Sequence, residues 1–141
     1  MSRIFLDTNF FIYLLEGSGP QATRTRYLLR AFSTRQDEIL TSVMSLGEVL
    51  VTPMRAGDHA LAQRYRQIFH SPGISVLPFV EQAAEGFAAL RVGGKVKPPD
   101  AIQLATAGAA GCDLFLTNDE RLIGLTVRGI QFITSFDKAP I

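Results

Sequence analysis

Residues 3–17 read RIFLDTNFFIYLLEG, and the fold is decided here. Arg3 to Leu6 is a short apolar run that ends abruptly at Asp7-Thr8-Asn9. Phe10 to Leu15 then carry helical spacing, and Gly17 closes the segment, because glycine readily ends a helix. The order is strand, polar turn, helix, and the same alternation recurs outward from it. Tyr27, Leu28, Ala31 and Phe32 predict a second helix near Gln21 to Ser33, and Glu38 to Thr41 a second strand. Ser42 is placed to cap a helix through Val43, Leu46, Val49 and Leu50, punctuated by Pro53 and Gly57. Ala60, Leu61, Tyr65, Ile68 and Phe69 mark a further helix, which Ser71-Pro72-Gly73 ends before the strand Ile74 to Leu77. Val80 to Val92 reads as helix up to Gly93-Gly94. Pro98-Pro99 introduces a helix over Asp100 to Ala110, since proline has a preset φ suited to a helix's first turn. Asp113 to Leu116 is a strand, Asp119 to Ile123 a short helix and Ile130 to Ile133 a last strand. Such alternation predicts an α/β domain with a mostly parallel sheet covered by helices on both faces.

A chain of 141 residues with 47% hydrophobic content can build a sizeable core, and 1–141 is read as a single domain. The charged fraction of 19%, without long runs or repeats, excludes a disordered or low-complexity chain. No apolar run approaches the roughly 20 residues a membrane span needs. Asp7 and Asn9 interrupt what a secretory leader would have to keep apolar. The expectation is a soluble, cytoplasmic protein without membrane attachment. The single cysteine, Cys112, can form no internal disulfide, and its apolar setting reads as core. The net charge of +1 hides how the signs are arranged. If four of the 13 acids share one site, nine remain to oppose 14 bases, a positive surplus suited to holding a polyanion near an acidic centre.

The candidate acids are Asp7, Glu48, Asp100 and Asp119. In open parallel sheets ligands bind beyond the carboxyl ends of the strands, where Asp7 and Asp119 both lie if their strands are neighbours. Asp100 falls in a helix's first turn, where free backbone N–H groups and the helix dipole favour an ionised carboxylate. Glu48 lies in an apolar stretch of helix and is expected to need a partner or solvent there. Hard oxygen donors without a Cys/His cluster point to Mg²⁺ or Mn²⁺ rather than zinc, and His59 and His70 are isolated. Each acid also has a structural reading. Asp7, Thr8 or Asn9 can cap the first long helix, and Asp100 can be a surface acid favoured by the dipole. Thr117-Asn118-Asp119-Glu120 fits a capping box between Thr117 and Glu120, which would leave Asp119 free for other work.

Four segments together resemble the PIN-domain family, and in particular its VapC-like toxin branch. They are Leu6-Asp7-Thr8-Asn9, Ser45-Leu46-Gly47-Glu48-Val49, the run from Pro99-Asp100-Ala101 to Ala107, and Leu116-Thr117-Asn118-Asp119. Their order and spacing cover nearly the whole chain. The resemblance implies a three-layer α/β/α domain with a sheet of about five strands. It implies a metal site of Asp7, Glu48, Asp100 and Asp119, with Asp7 and Asp100 as direct ligands and Glu48 and Asp119 completing the shell or acting through water. Asn9 and Thr117 are similar to the family's polar supporting residues, which orient carboxylates, water or phosphate. It further implies a Mg²⁺- or Mn²⁺-dependent endoribonuclease, a cognate antitoxin and a homodimer. An RNA-processing nuclease without an antitoxin, and a scaffold that binds RNA or protein without chemistry, are the alternatives.

Arg91, Lys95 and Lys97 stand close before Asp100 and read either as a phosphate-contacting loop or as a solvated one. Arg24, Arg26, Arg30 and Arg35 line one side of the second helix and read either as an RNA- or partner-facing surface or as an ordinary charged face. Phe10, Phe11, Tyr13, Tyr27, Phe32, Tyr65 and Phe69 are candidates for a dimer or antitoxin surface, with burial in the domain the simpler reading for most.

Overall fold

Ile4, Phe5 and Leu6 are all buried, and successive residues of a strand point to opposite faces, so β1 (Arg3–Leu6) is covered on both sides. The computed structural model, which describes Met1–Ile141, places β1 at the centre of a five-stranded sheet. Its partners are β2 (Glu38–Ser42), β3 (Ile74–Leu77), β4 (Cys112–Leu116) and β5 (Ile130–Thr134). The order is β3-β2-β1-β4-β5, and every pair is parallel. The chain winds outward from β1 through β2 to β3, then returns to the other side of β1 as β4. That reversal makes the β1–β4 boundary the switch point of the sheet, where a crevice opens beyond the strand ends. Leu6 pairs with Leu116, so the residues after each strand emerge side by side.

The helices divide between the two faces. On one lie α1 (Thr8–Glu16), α2 (Pro20–Arg35), α3 (Val43–Ala56) and α4 (His59–Phe69), packed over Ile4, Leu6, Ile39, Leu114 and Leu116. Phe10, Phe11, Phe32, Tyr65 and Phe69 are all buried in this core, so those five aromatic residues form no partner surface. Tyr13 is half-buried against it, and Tyr27 alone of the seven is well exposed. On the other face α5 (Ala84–Val92), entered by a 3-10 turn at Glu81–Ala83, α6 (Pro98–Ala110) and α7 (Glu120–Ile123) surround Phe5, Leu40 and Phe115. Phe5 and Phe115 stack across the strand pair with centroids 5.0 Å apart. Cys112 is buried in this second core, and burial pushes its thiol up to about 12, as suits a packing residue.

One local expectation changes. Pro53 does not end α3, which runs through it to Ala56 and stops at Gly57 with φ +68°. Proline falls in the last turn, where the distortion it imposes affects little of the helix. The position of α6 depends on glycine at two places, Gly108 and Gly129. A Cβ on Gly129, at φ +90°, would lie 2.0 Å from the Gly108 carbonyl oxygen, so only glycine lets the loop before β5 touch α6.

Candidate functional site

Asp7 caps α1 with its own side chain: Thr8 N–H donates to Asp7 Oδ1 at 2.7 Å. The expected capping role is therefore present, and only one carboxylate oxygen serves it. Thr117, the first residue after β4, donates its hydroxyl to Asp7 Oδ2 at 2.7 Å. Asp7 has no basic partner within ion-pair distance. Packing around the half-buried carboxyl withdraws water and pushes its pKa up to about 6; Asp100 and Glu48 repel it further, while the bonds from Thr117 and Thr8 pull the other way.

Glu48 finds both solvent and a partner. It does not lie against the apolar core; it is exposed on α3, accepting the Thr8 hydroxyl at 2.6 Å. The apolar residues around it in sequence, among them Val49, turn inward, and Glu48 shares with Gly47 the open side. Asp100 sits in the first turn of α6, half-buried, its pKa raised by desolvation and by the charges of Asp119 and Glu48, with Arg121 opposing. Asp7, Glu48 and Asp100 are therefore near enough to repel one another, and Asp119 is coupled in turn to Asp100.

Asp119 differs from its expected state. No capping box forms between Thr117 and Glu120. Asp119 is itself the cap of α7, accepting Arg121 N–H at Oδ1, and Thr117 Oγ1 accepts the N–H of Asp119. A short helix of four residues is capped by the nearest acid, which leaves no need for a reciprocal glutamate. Asp119 is further held by the Arg121 guanidinium, with Nε 3.0 Å from Oδ1 and Nη2 2.6 Å from Oδ2. That bond holds its carboxyl below the usual range. The same Nη2 is 3.9 Å from Asp100 Oδ2, so one guanidinium lies between the two acids.

Beneath the acids runs a buried polar network. Gln103, three residues after Asp100 on α6, accepts the Ser42 hydroxyl at 2.5 Å and donates to Ser45 Oγ at 2.6 Å and Thr8 Oγ1 at 3.1 Å. Ser42 is the cap of α3, so the network ties the ends of α1, α3 and α6 together under the cleft. Residues three apart on a helix share a face, which is the one sequence signal that Gln103 and Ser45 carry, by their distance from Asp100 and Glu48. Arg121 carries none, since a position two residues on is not aligned with Asp119 by periodicity. Asn9 is exposed in the first turn of α1.

The donor set suits a hard cation: carboxylates and hydroxyls, with no thiol or imidazole among them. Asp7, desolvated, repelled by two acids and without a cation, would gain from one. No three Asp, Glu, His or Cys side chains are gathered closely enough to enclose an ion, and the Arg121 side chain stands between two of the acids.

The basic residues divide. Arg24 donates to the Phe136 carbonyl at 3.0 Å and lies over the Tyr27 ring, and Arg35 pairs with Asp37 at 3.3 Å. These two fasten the C-terminal segment and the β2 entry, while Arg26 and Arg30 remain exposed. Arg91 donates to the Val96 carbonyl and shapes the loop that leaves Lys95 and Lys97 exposed ahead of Asp100. No helix is long and apolar enough to cross a membrane.

The sequence model of the PIN domain matches residues 4–126. Among solved structures, VapBC2 from Rickettsia felis bound to a DNA fragment from their promoter aligns with a TM-score of 0.76 at 15% identity, over 94% of this chain and 98% of that one. A toxin–antitoxin complex from Klebsiella pneumoniae aligns with a TM-score of 0.69 at 26% identity, over 90% and 94%. Mycobacterium tuberculosis VapC20, a toxin that cleaves the sarcin–ricin loop, aligns with a TM-score of 0.67 at 21% identity, over 89% and 98%. No curated protein sequence matches the chain significantly.

Proposed function

The chain belongs to the PIN-domain family, and on that premise we propose that it is a cytoplasmic Mg²⁺- or Mn²⁺-dependent endoribonuclease, the toxin of a toxin–antitoxin pair. The observation that carries the proposal is Asp7, a desolvated carboxyl at the switch point of the sheet, faced by Glu48 and Asp100 and balanced by no base. A divalent cation bound there supplies activation of water and polarisation of a phosphodiester. Asp7 and Asp100 would hold it, with Glu48 and Asp119 completing the set. Thr117 and the Thr8 N–H fix the two oxygens of Asp7, and the Thr8 hydroxyl fixes Glu48. Such hydrogen bonds hold the carboxylates in place before substrate arrives. Lys95 and Lys97 would meet the RNA backbone, and exposed Asn9 would meet water or phosphate; contacts of that kind position a strand without reading its sequence.

A protein partner is supported by the toxin–antitoxin complexes to which the fold is similar. On this chain, exposed Val43, Val51 and Phe79 line an open groove of about 530 Å³ beside Glu48, with exposed Met54 further along α3. Apolar area of this kind is suited to protein contact, and we place the homodimer face there.

The test is cleavage of a total RNA pool with Mg²⁺ or Mn²⁺, followed by sequencing of the cut ends. Discrete cuts that vanish with chelator and with Asp7→Asn are expected. Cleavage that survives both controls would remove the metal-dependent site from consideration. Co-expression with any small reading frame adjacent to the gene tests the antitoxin, which should co-purify and suppress cutting.

A further inference from the structure

Asp119 is unlike the other acids of the cleft because one residue takes both of its oxygens. Arg121 N–H and Nε donate to Oδ1, each at 3.0 Å, and Nη2 donates to Oδ2 at 2.6 Å. A forked guanidinium–carboxylate pair is the strong form of such a bond. The two residues are also two apart on one short turn, so the pair orders little additional chain. From this position Nη2 reaches within 3.9 Å of Asp100 Oδ2. Asp7 and Glu48 have no such cation: their partners are the neutral Thr117 and Thr8. The positive charge within the cleft is therefore concentrated on the Asp100 and Asp119 side.

We propose that Arg121 is an internal counter-ion that competes with the divalent cation for Asp119 and Asp100, and so sets the cation concentration at which the site fills. The proposal rests on the nuclease reading of these four acids. A divalent ion binds carboxylate oxygens at roughly 2.0–2.2 Å, far inside the distance at which a guanidinium can share the same face without repulsion. The ion and Arg121 therefore exclude one another. The Arg121 side chain is 61% exposed and free to swing into solvent when displaced. In the absence of the ion the guanidinium offsets the repulsion between Asp100 and Asp119, which keeps both carboxylates in the cleft.

The experiment is Mn²⁺ titration of the purified chain, read by isothermal calorimetry and by the electron paramagnetic resonance signal of free Mn²⁺, with no RNA present. Arg121→Ala and Arg121→Gln should each tighten Mn²⁺ binding about 3- to 10-fold, the modest size reflecting solvent screening of an exposed charge. Arg128→Ala, which removes an exposed charge not paired with the acids, should leave the affinity near that of the wild type. Backbone N–H capping of Asp119 survives all three changes, and circular dichroism checks the fold. Equal or weaker binding in both Arg121 variants, or equal tightening by Arg128→Ala, would overturn the counter-ion role while leaving the metal site intact. If neither wild type nor the Arg121 variants bind Mn²⁺, the metal-dependent nuclease reading fails and takes this inference with it. Binding by the variants alone supports the competition in its extreme form.

Discussion

Replacing Asp7 by asparagine should abolish cleavage and, without metal, make the protein more stable. In the folded chain desolvation, aided by Asp100 and Glu48, moves the Asp7 pKa from 3.8 to about 6. The folded state thus holds this proton to higher pH than the unfolded chain does. Stability falls as pH rises from about 4 to about 6, and the full penalty persists above that. About two pK units correspond to ~3 kcal/mol, reduced to about 1–3 kcal/mol because the side chain keeps some solvent contact. Asparagine retains the oxygen that accepts the Thr8 N–H but turns an amide toward Thr117, whose hydroxyl must then accept; that exchange costs about 0.5–1 kcal/mol. The net expectation near neutral pH is a gain of about 0.5–2 kcal/mol, or roughly 1–8 °C in Tm for a domain of this size. Thermal denaturation of both proteins in chelator, from acid to neutral pH, measures it. The advantage of the variant should disappear below about pH 4, where Asp7 is protonated in both states of the wild type. Added Mn²⁺ should raise the wild-type Tm and leave the variant unmoved, because only a form that binds the ion gains from mass action. A variant less stable than wild type by the same amount at every pH would refute the reasoning and reduce Asp7 to a helix cap.

Three further outcomes are expected. Thr117→Val removes the bond that lowers the Asp7 pKa, so the acid limb of the pH–activity profile should move to higher pH, with cleavage lost more severely at pH ~6 than at pH ~8. Gln103→Leu strips the buried network of its link between Ser42, Ser45 and Thr8; urea unfolding should show a loss of about 1–3 kcal/mol, and cleavage should fall about 10–100-fold as the support of Glu48 loosens. Gly129→Ala forces a Cβ against the Gly108 carbonyl from a positive φ, and denaturant titration should register a cost of about 2–4 kcal/mol.

The strands were legible because their residues are short apolar runs bounded by turn residues, and each predicted strand lies within one residue of its place in the sheet. Asp7 was legible for the same reason: a carboxylate directly after a buried strand has to emerge at the sheet edge. Ser42 as a cap, and the helix announced by Pro98-Pro99, depend only on local backbone chemistry and appear as expected. What local sequence leaves open lies where two segments must meet. The sequence neighbours of Glu48 leave partner or solvent open, and its exposure depends on how α3 rolls against the sheet. The four arginines of α2 look alike in sequence, and only contact with the C-terminal segment separates Arg24 and Arg35 from Arg26 and Arg30.

The sequence by itself determined the alternation of elements, the parallel α/β architecture and the oxygen donors of the candidate site, because apolar periodicity, turn residues and side-chain type are properties of short segments. Tertiary structure decided which groups meet: it brought Thr117 onto Asp7, seated Gln103 beneath three helix ends and carried Asp100 within reach of the local Arg121–Asp119 pair. Hydrogen bonds and Coulomb forces act over a few ångströms, and residues more than 90 positions apart come within that range only once β1 and β4 pair and α6 settles over them.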